Sequence, residues 1–287
     1  MKKILIFGNG QLGNMYREFF NYYGDKVEIS KADITNEEQV SKEIENFKPE
    51  VVINTAAKTN TDWCEENKIE TFKVNTLGAD TVAKTCLKNN TYLVHISTGC
   101  IFESINNQPI FSEEDAPRPL AFYSWTKTWG EELIQDKMKK GLKALILRPR
   151  LLCSSLPHPR NIIFKMLNYK EFHKNENSMT IAEDLLIATK HLIDKNQTGI
   201  FNATNKGTIT PYYIALMLKK HINPSMEIVL KTKEELDKKS KVKRVDAIIN
   251  TEKLEKTGLQ MPFITSRMEE TIIKLKENLG KNTIQKL

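Results

Sequence analysis

The sequence predicts an α/β protein: a Rossmann-type doubly wound parallel sheet with a smaller carboxyl-terminal substrate-binding lobe. Three features carry this. The first 150 residues alternate short apolar runs with amphipathic stretches, a glycine-rich turn directly follows the first apolar run, and the alternation loosens after residue 150. Alternating strand and helix patterns select a parallel sheet with right-handed crossovers and helices on both faces.

The elements follow in order. Ile4–Phe7 reads as a short buried strand and Gln11–Tyr23 as a helix. Val27–Ile29 is a second strand. Glu37–Phe47 has helical spacing, with Val40, Ile44 and Phe47 on one side. Val51–Asn54 is a third strand, Glu70–Lys88 a long helix and Tyr92–Ser97 a fourth strand. Ser124–Met138 is a helix and Leu142–Leu147 a fifth strand. Residues 1–150 are therefore expected to form the dinucleotide-binding domain. Residues 151–287 should be mainly a substrate-binding lobe, with about 180–205 returning to the sheet. Here Cys153–Arg160 is proline-rich and loop-like, Ala182–Ile193, Pro211–His221 and Met268–Leu279 are helical, and Gly199–Asn202 is a further strand. The lysine-rich tail is expected to fray.

Composition narrows the function classes. Lys and Arg number 43 against 36 Asp and Glu, a formal charge of +7. Lysines are interleaved with acids along most of the chain, and the densest run, Lys231–Arg244, contains Glu234, Glu235 and Asp237. It reads as a solvated helix and loop rather than a nucleic-acid surface, and the excess charge suits a diphosphate-bearing substrate. The opening MKKILIF could mimic a signal peptide, but Gly8, Asn9 and Gly10 break the apolar run too early. No stretch approaches the roughly 18 apolar residues of a membrane span. A cytoplasmic protein with no membrane or nucleic-acid partner is expected. Its four cysteines, Cys64, Cys86, Cys100 and Cys153, form no CxxC pair and read as reduced thiols. Its five histidines are dispersed, so no metal is expected.

Gly8-Asn9-Gly10-Gln11-Leu12-Gly13 follows the first strand and opens the first helix. Glycines there let the backbone turn tightly and approach a pyrophosphate at the helix amino end. GxGxxG alone also fits a turn with no ligand; the strand–turn–helix context favours a dinucleotide. The second strand ends at Ser30-Lys31 rather than on an acid. Lys31 then suits a 2′-phosphate, so NADPH is the expected cofactor, with NADH also open. Asp33, beside Ile34, is a candidate adenine contact or a helix cap.

Tyr123-Ser-Trp-Thr-Lys127 opens a helix, and positions i and i+4 share one face. An ordinary tyrosine titrates near about 10, too high for an acid–base group at neutral pH unless a nearby ammonium favours the phenolate. Thr98, at the end of the fourth strand, can hydrogen-bond a substrate carbonyl where parallel sheets bind ligands.

With these residues the sequence resembles the extended short-chain dehydrogenase/reductases, dTDP-4-dehydrorhamnose reductase branch. Asn54-Thr-Ala-Ala57, Asn75 with Gly78, Ser97-Thr98 and the Tyr123/Lys127 pair fit that branch. Asp62-Trp-Cys-Glu65, Thr98-Gly-Cys-Ile-Phe-Glu103, Glu113-Glu-Asp115 with Pro117, Phe122-Tyr-Ser124, Pro159-Arg-Asn161, Asn177-Ser-Met-Thr-Ile181 and Thr198-Gly-Ile200 are similar to the plant-type nucleotide-rhamnose synthases. These are bifunctional 3,5-epimerases and 4-reductases. The similarity runs from about residue 4 to about residue 210. One departure is a glycine loop one residue shorter than the family's GxxGxxG between its first two glycines.

The resemblance implies that Cys100 and Lys165 exchange protons at sugar carbons 5 and 3. Tyr123 and Lys127 then complete reduction at carbon 4 of a UDP- or dTDP-linked 4-keto-6-deoxy sugar. It implies cofactor contacts from Ala56, Ala57, Lys58, Asn75, Tyr123, Lys127 and Arg150, substrate contacts from Thr98, Cys100, Phe102, Tyr123, Asn161, Lys165 and Met179, and a possible homodimer. The alternatives are a 4-reductase alone, or a non-catalytic NADP-binding regulatory subunit.

Overall fold

The computed structural model of the chain describes residues 1–103, 110–243 and 245–284. The first stretch runs β1 (Lys3–Phe7), α1 (Gln11–Tyr22), β2 (Lys26–Ser30), α2 (Glu37–Phe47), β3 (Val51–Asn54), α3 (Thr61–Glu66) and α4 (Lys68–Phe72). A wide turn at Lys73–Gly78 leads into α5 (Ala79–Lys88) and β4 (Tyr92–Ile96). After a tight turn at Gly99–Ile101 come α6 (Phe122–Lys139) and β5 (Ala144–Arg148). Then follow β6 (Leu152–Cys153), α7 (Ile162–Met166), β7 (Glu171–Phe172), β8 (Thr180–Ile181), α8 (Ala182–Asp194) and β9 (Gly199–Asn202). The chain ends with α9 (Pro211–His221), β10 (Val229–Leu230), α10 (Lys233–Asp237), α11 (Glu252–Glu255) and α12 (Ile264–Ile284).

These elements form two compact units. The first holds residues 1–102, 116–148 and 192–201; the second holds 103–115, 149–191 and 202–287. The first unit is the expected Rossmann-like α/β layer structure. Its sheet has the order β2-β1-β3-β4-β5-β9, with β1 to β5 paired in parallel. Ile4 to Phe7, Val51 to Ile53 and Ala144 to Leu147 are buried throughout, as a sheet covered on both faces requires. Val40 and Ile44 of α2, Val82 and Cys86 of α5 and Ile134 of α6 pack on one face of that sheet. The chain leaves β1 toward β2 and later toward β3, so the strand order reverses between β1 and β3. Ligands bind at the carboxyl ends of the strands beside such a reversal.

The second unit has its own core. Ile163, Met166, Phe172, Met179, Ile181, Ile214, Leu218, Met268, Ile272 and Leu275 are buried together. Thr210 caps α9 by accepting from the Tyr213 N–H at 3.1 Å, and Pro211 sits in the first turn, where its missing N–H costs nothing. No described helix is long and apolar enough to cross a membrane.

Three local expectations change. The helix expected over 70–88 is broken into α4, the wide turn and α5, and α3 precedes it. The wide turn brings the Asn75 side chain to the backbone of Lys58 (below). The cap of α2 is Asn36, which accepts from the Gln39 N–H at 3.1 Å. Asp33 instead closes a turn, accepting from the Thr35 N–H at 2.9 Å and its hydroxyl at 2.8 Å. The tail expected to fray is helical as far as Ile284, and its last three residues lie outside those described. In the lysine-rich run, Lys233–Asp237 is the helix α10 with exposed neighbours; Arg244 lies outside the described residues.

Candidate active site

The carboxyl end of β1 makes the turn that the glycines require. Gly8 has φ 109°, a region that disfavours any side chain. A Cβ on Gly8 would meet Thr55 Oγ1 at 2.5 Å and the Ala56 nitrogen at 2.6 Å; one on Gly13 would meet the Gly8 carbonyl oxygen at 1.9 Å. Gly10 is the amino cap of α1 and provides no side chain to satisfy the first-turn N–H groups. The shortened loop therefore keeps its three roles: Gly8 turns, Gly10 opens the helix end, and Gly13 lets helix and loop approach. Thr55 pins the turn, its hydroxyl lying 3.0 Å from the Phe7 carbonyl and 3.1 Å from that of Gly8. Asn14 holds the rim through Asn9 Oδ1 at 3.0 Å. Lys31 and Asp33 are exposed and Ile34 is buried, against Gly78.

The loop after β3 is tied to α6. Asn75 is buried, and its carbonyl accepts from the Lys58 N–H at 2.8 Å. Its amide donates to the Lys58 carbonyl at 2.9 Å and to Thr126 Oγ1 at 3.1 Å. Both ends of the amide are thus used inside the protein, so Asn75 positions Lys58 instead of presenting its own amide. Gly130 allows the closeness, since a Cβ there would meet the Asn75 carbonyl at 2.9 Å. The start of α6 is held by Glu65, whose carboxylate accepts from the Phe122 N–H at 2.6 Å. A carboxylate at a helix amino end is favoured by the exposed N–H groups.

That anchoring sets Tyr123 in the first turn of α6 and Lys127 one turn later. Thr98 follows β4, and its hydroxyl oxygen accepts from the Cys100 N–H at 3.1 Å. The Thr98 side chain also hydrogen-bonds the Tyr123 hydroxyl. Lys127 is buried; its Nζ donates to the Ile96 carbonyl at 2.8 Å and lies 3.2 Å from His95 Nε2.

Electrostatics separate these groups. Burial draws Lys127 down to about 8, opposed by the charge of Glu131. Burial and then the Lys127 charge hold His95 well below its ordinary value. The expectation that an ammonium lowers Tyr123 is reversed. Burial raises the phenol, the Cys100 charge raises it further, and only the Thr98 hydrogen bond opposes this. The reason is geometric: Lys127 Nζ is held on the Ile96 carbonyl. A tyrosine so placed keeps its proton at neutral pH, as a proton donor must. Cys100 is half-buried, whereas the other three cysteines are buried.

Under this site lies a charged network. Glu131, a further turn along α6, accepts from Arg148 Nη2 at 2.6 Å and from its Nε at 3.1 Å, and the Ser97 hydroxyl bonds the same carboxylate. The Arg148 guanidinium covers the Phe102 ring at 5.3 Å. Phe102 is fully buried, so the ring expected to meet substrate is a platform for Arg148.

The remaining candidates lie in the second unit. Arg150, expected at the cofactor, is fully buried and donates to Asn177 Oδ1 at 2.6 Å and to the Val245 carbonyl. Its charge is committed to the interior of that unit. Asn161 is buried and donates to the Ser154 and Leu156 carbonyls at 2.7 and 2.8 Å, ordering the loop before α7. Met179 belongs to the core. Lys165 is exposed on α7.

Residues 1–276 match the family described as the RmlD substrate binding domain. The chain belongs to that family. Among relatives of this RmlD-family chain, a bifunctional dTDP-4-dehydrorhamnose 3,5-epimerase/dTDP-4-dehydrorhamnose reductase of Arabidopsis thaliana is 32% identical, over 97% of this chain and 94% of its own length. A trifunctional UDP-glucose 4,6-dehydratase/UDP-4-keto-6-deoxy-D-glucose 3,5-epimerase/UDP-4-keto-L-rhamnose-reductase of the same plant is also 32% identical, but the chain spans only 42% of it. The solved structure of the L780 UDP-rhamnose synthase of Acanthamoeba polyphaga mimivirus superposes with a TM-score of 0.86 at 28% identity, covering 95% of this chain and 99% of that one.

In this RmlD-family member, sequence reasoning misses Asn54, His95, Glu131 and Arg148 as parts of the site. One signal is in the sequence, since Glu131 continues the i, i+4 row of Tyr123 and Lys127; the pairing of Asn54 with His95 appears only in the register of β3 and β4.

Proposed function

We propose that the chain is an NADPH-dependent sugar-nucleotide reductase, and more finely a bifunctional 3,5-epimerase/4-reductase. It would convert UDP- or dTDP-4-keto-6-deoxy-D-glucose to the corresponding L-rhamnose nucleotide. The observation that carries the reading is the placement of Thr98, Tyr123 and Lys127 beyond β4, in the same unit as the glycine cradle after β1. The fit to a dinucleotide rests on that cradle: Gly8 and Gly13 keep free the space a Cβ would fill, and α1 presents an uncapped amino end. Lys31, exposed after β2, suits a 2′-phosphate. Similarity to reductases and epimerase/reductases of rhamnose nucleotides supports the substrate class.

The cofactor supplies a hydride to carbon 4 of the sugar. Thr98 orients the carbonyl, and Tyr123 gives its phenolic proton to the oxygen as the C=O double bond becomes an alcohol. The Lys127 ammonium, once turned from the Ile96 carbonyl, would stabilise the phenolate left behind. For the earlier inversions, Cys100 as base removes a proton from a carbon beside the ketone, giving an enolate, and a proton returns to that carbon, the role that the family resemblance implies for Lys165. Each exchange takes one proton off and puts one on. This assignment rests on the Thr98-to-Glu103 motif and on Cys100 lying beside Tyr123.

The test is incubation with UDP-4-keto-6-deoxyglucose and NADPH, followed by identification of the sugar. A rhamnose nucleotide is expected. Turnover only of pre-epimerised substrate would leave the 4-reductase, and no turnover of either would leave a cofactor-binding subunit. Cys100→Ala should slow deuterium uptake from solvent at carbons 3 and 5 by roughly 100-fold or more while reduction of pre-epimerised substrate persists. Unchanged uptake would remove Cys100 from the mechanism.

Gly13→Ala forces a Cβ onto a backbone carbonyl, which cannot swing away. NADPH affinity is expected to fall at least tenfold and stability by roughly 1–3 kcal/mol; fluorescence titration and urea unfolding measure both.

The lysine gives a pH signature. Its folded value of about 8 lies below the ordinary 10.5. The unfolded chain therefore binds this proton more tightly, and Lys127 contributes instability below about 8 that is relieved as pH rises toward 10.5. The effect is on the order of 3 kcal/mol. Lys127→Met should be at least as stable as the parent at neutral pH, without the parent's gain between those pH values. Melting temperatures across that range decide. Reduction by the parent should decline above pH of about 8 as the ammonium is lost.

A further inference from the structure

His95 has no part in the chemistry above, yet it is buried against the lysine that does. It sits on β4, opposite Asn54 of β3. The Asn54 side-chain oxygen accepts from the Ala56 N–H at 3.1 Å. That bond fixes the amide, because an NH2 group turned toward Ala56 N–H would set donor against donor. The Asn54 Nδ2 donor is then the atom facing His95 Nδ1, at 3.4 Å. Nδ1 faces an amide whose direction Ala56 fixes as donor, whereas Nε2 faces an amine that can give or accept a hydrogen bond, so the Asn54 side decides the tautomer and Nδ1 carries no hydrogen. A neutral imidazole has one N–H, which must therefore be on Nε2. Nε2 is the atom that lies 3.2 Å from Lys127 Nζ.

We propose that His95 is a positioning residue for the reduction: anchored by Asn54 as its Nε2–H tautomer, it meets the Lys127 side chain donor to donor and so governs where that amine points and when it holds its third proton. A neutral amine accepts the Nε2–H and parks on His95. An ammonium has no lone pair to offer and is driven off His95, keeping the Ile96 carbonyl as its acceptor. The imidazole thereby couples the charge of Lys127 to its position. The loop that supplies Ala56 is the one expected at the cofactor, so its backbone is wired through Asn54 and His95 to the lysine.

Other groups face Lys127. Glu131 lies one turn further along α6 and favours the ammonium, while Arg148 from β5 pairs with Glu131 and offsets it. Tyr123 is one turn back, with Thr98 and Cys100 beside it. Among these, His95 is the neutral donor in direct contact with Nζ. Buried and beside a cation, it stays uncharged at neutral pH, so the tautomer and not a second charge is what Lys127 meets.

The inference deepens the reductase reading and rests on it only for the rate measurement. Two measurements test it. In protein carrying 15N-histidine, long-range nitrogen–proton spectra should show one histidine with protonated Nε2 and bare Nδ1 that does not titrate between pH of about 6 and 8, and His95→Gln should remove that signal. If no histidine shows that form, the proposal is overturned without any variant having to fold. Next, Lys127 is followed by 13C-lysine titration. Gln at position 95 can turn an oxygen toward Nζ, converting a donor–donor contact to donor–acceptor. The Lys127 titration should then move up by at least one pH unit, a tenfold change in proton affinity. The alkaline limb of NADPH-dependent reduction should move with it. A residue that merely fills space would lower the rate evenly at all pH values and leave the titration in place, and that result also overturns the proposal. Absence of turnover in the parent would remove the reductase reading while the tautomer and the titration still decide the role of His95.

Discussion

Tyr123→Phe is expected to lower reduction of the 4-keto sugar nucleotide by roughly 100- to 10,000-fold, with NADPH binding kept within about twofold of the parent. The substitution removes one oxygen. The ring stays in the first turn of α6, whose start is fixed from outside by Glu65 on the Phe122 N–H and by Asn75 through Thr126. What disappears is the proton that must reach the carbon-4 oxygen. Its loss is not compensated nearby: Thr98 keeps its bond from the Cys100 N–H but has an ordinary hydroxyl, and Lys127 is turned to Ile96 and His95. The pH dependence gives a second check. Burial lifts the Tyr123 phenol above its ordinary value, so the donor stays protonated through neutral pH. Below pH of about 8 the parent's rate should not track a tyrosine titration. Stopped-flow NADPH oxidation and a cofactor titration of both proteins measure this. A variant that still turns over at more than about a tenth of the parent rate would sink the assignment of Tyr123 as the acid.

The fold of the first unit is legible because its physics is local. A strand covered on both faces must read as a continuous apolar run, and Ile4–Phe7 and Val51–Ile53 do. The α2 and α9 starts at Glu37 and Pro211 follow from helical spacing, although the cap of α2 is Asn36 and not the expected Asp33. Reading fails where distant backbone decides. The break in the helix expected over 70–88 follows from Asn75 reaching Lys58, 17 residues away in sequence. Residues 103–115 belong to the second unit, where the Phe111 N–H bonds the Ile248 carbonyl at 2.8 Å; no periodicity announces that. In the site, Tyr123 and Lys127 are visible as an i, i+4 pair, but the direction of the Lys127 amine is not. Arg150 and Phe102 show the opposite error. A charged residue and an aromatic near a motif invite a ligand role, yet their partners, Asn177 and Val245 for one and Arg148 for the other, are protein.

Arg148→Met is expected to destabilise the protein by roughly 3–5 kcal/mol, and to do so more than deletion of the whole ion pair. Arg148 and Glu131 are both buried, joined by Nη2 at 2.6 Å and Nε at 3.1 Å. Removing the arginine leaves a carboxylate in the interior with the Ser97 hydroxyl and the Lys127 ammonium one turn away. A buried charge without its partner is far costlier than a buried pair. The pair itself is no large source of stability, since both ions lose water and Arg148 Nη1 has no hydrogen-bond partner. Arg148→Met with Glu131→Leu should therefore recover most of the loss, giving a strongly favourable coupling in a double-mutant cycle. Urea unfolding of the four proteins measures it. The single variant has a second signature that a packing defect would lack. With Arg148 gone, the carboxylate of Glu131 faces Lys127 alone and favours the ammonium. The alkaline limb of reduction should move up in Arg148→Met and return in the double variant. A loss below about 1 kcal/mol in the single variant would mean that water reaches Glu131, and that the network does not set the charge of the lysine.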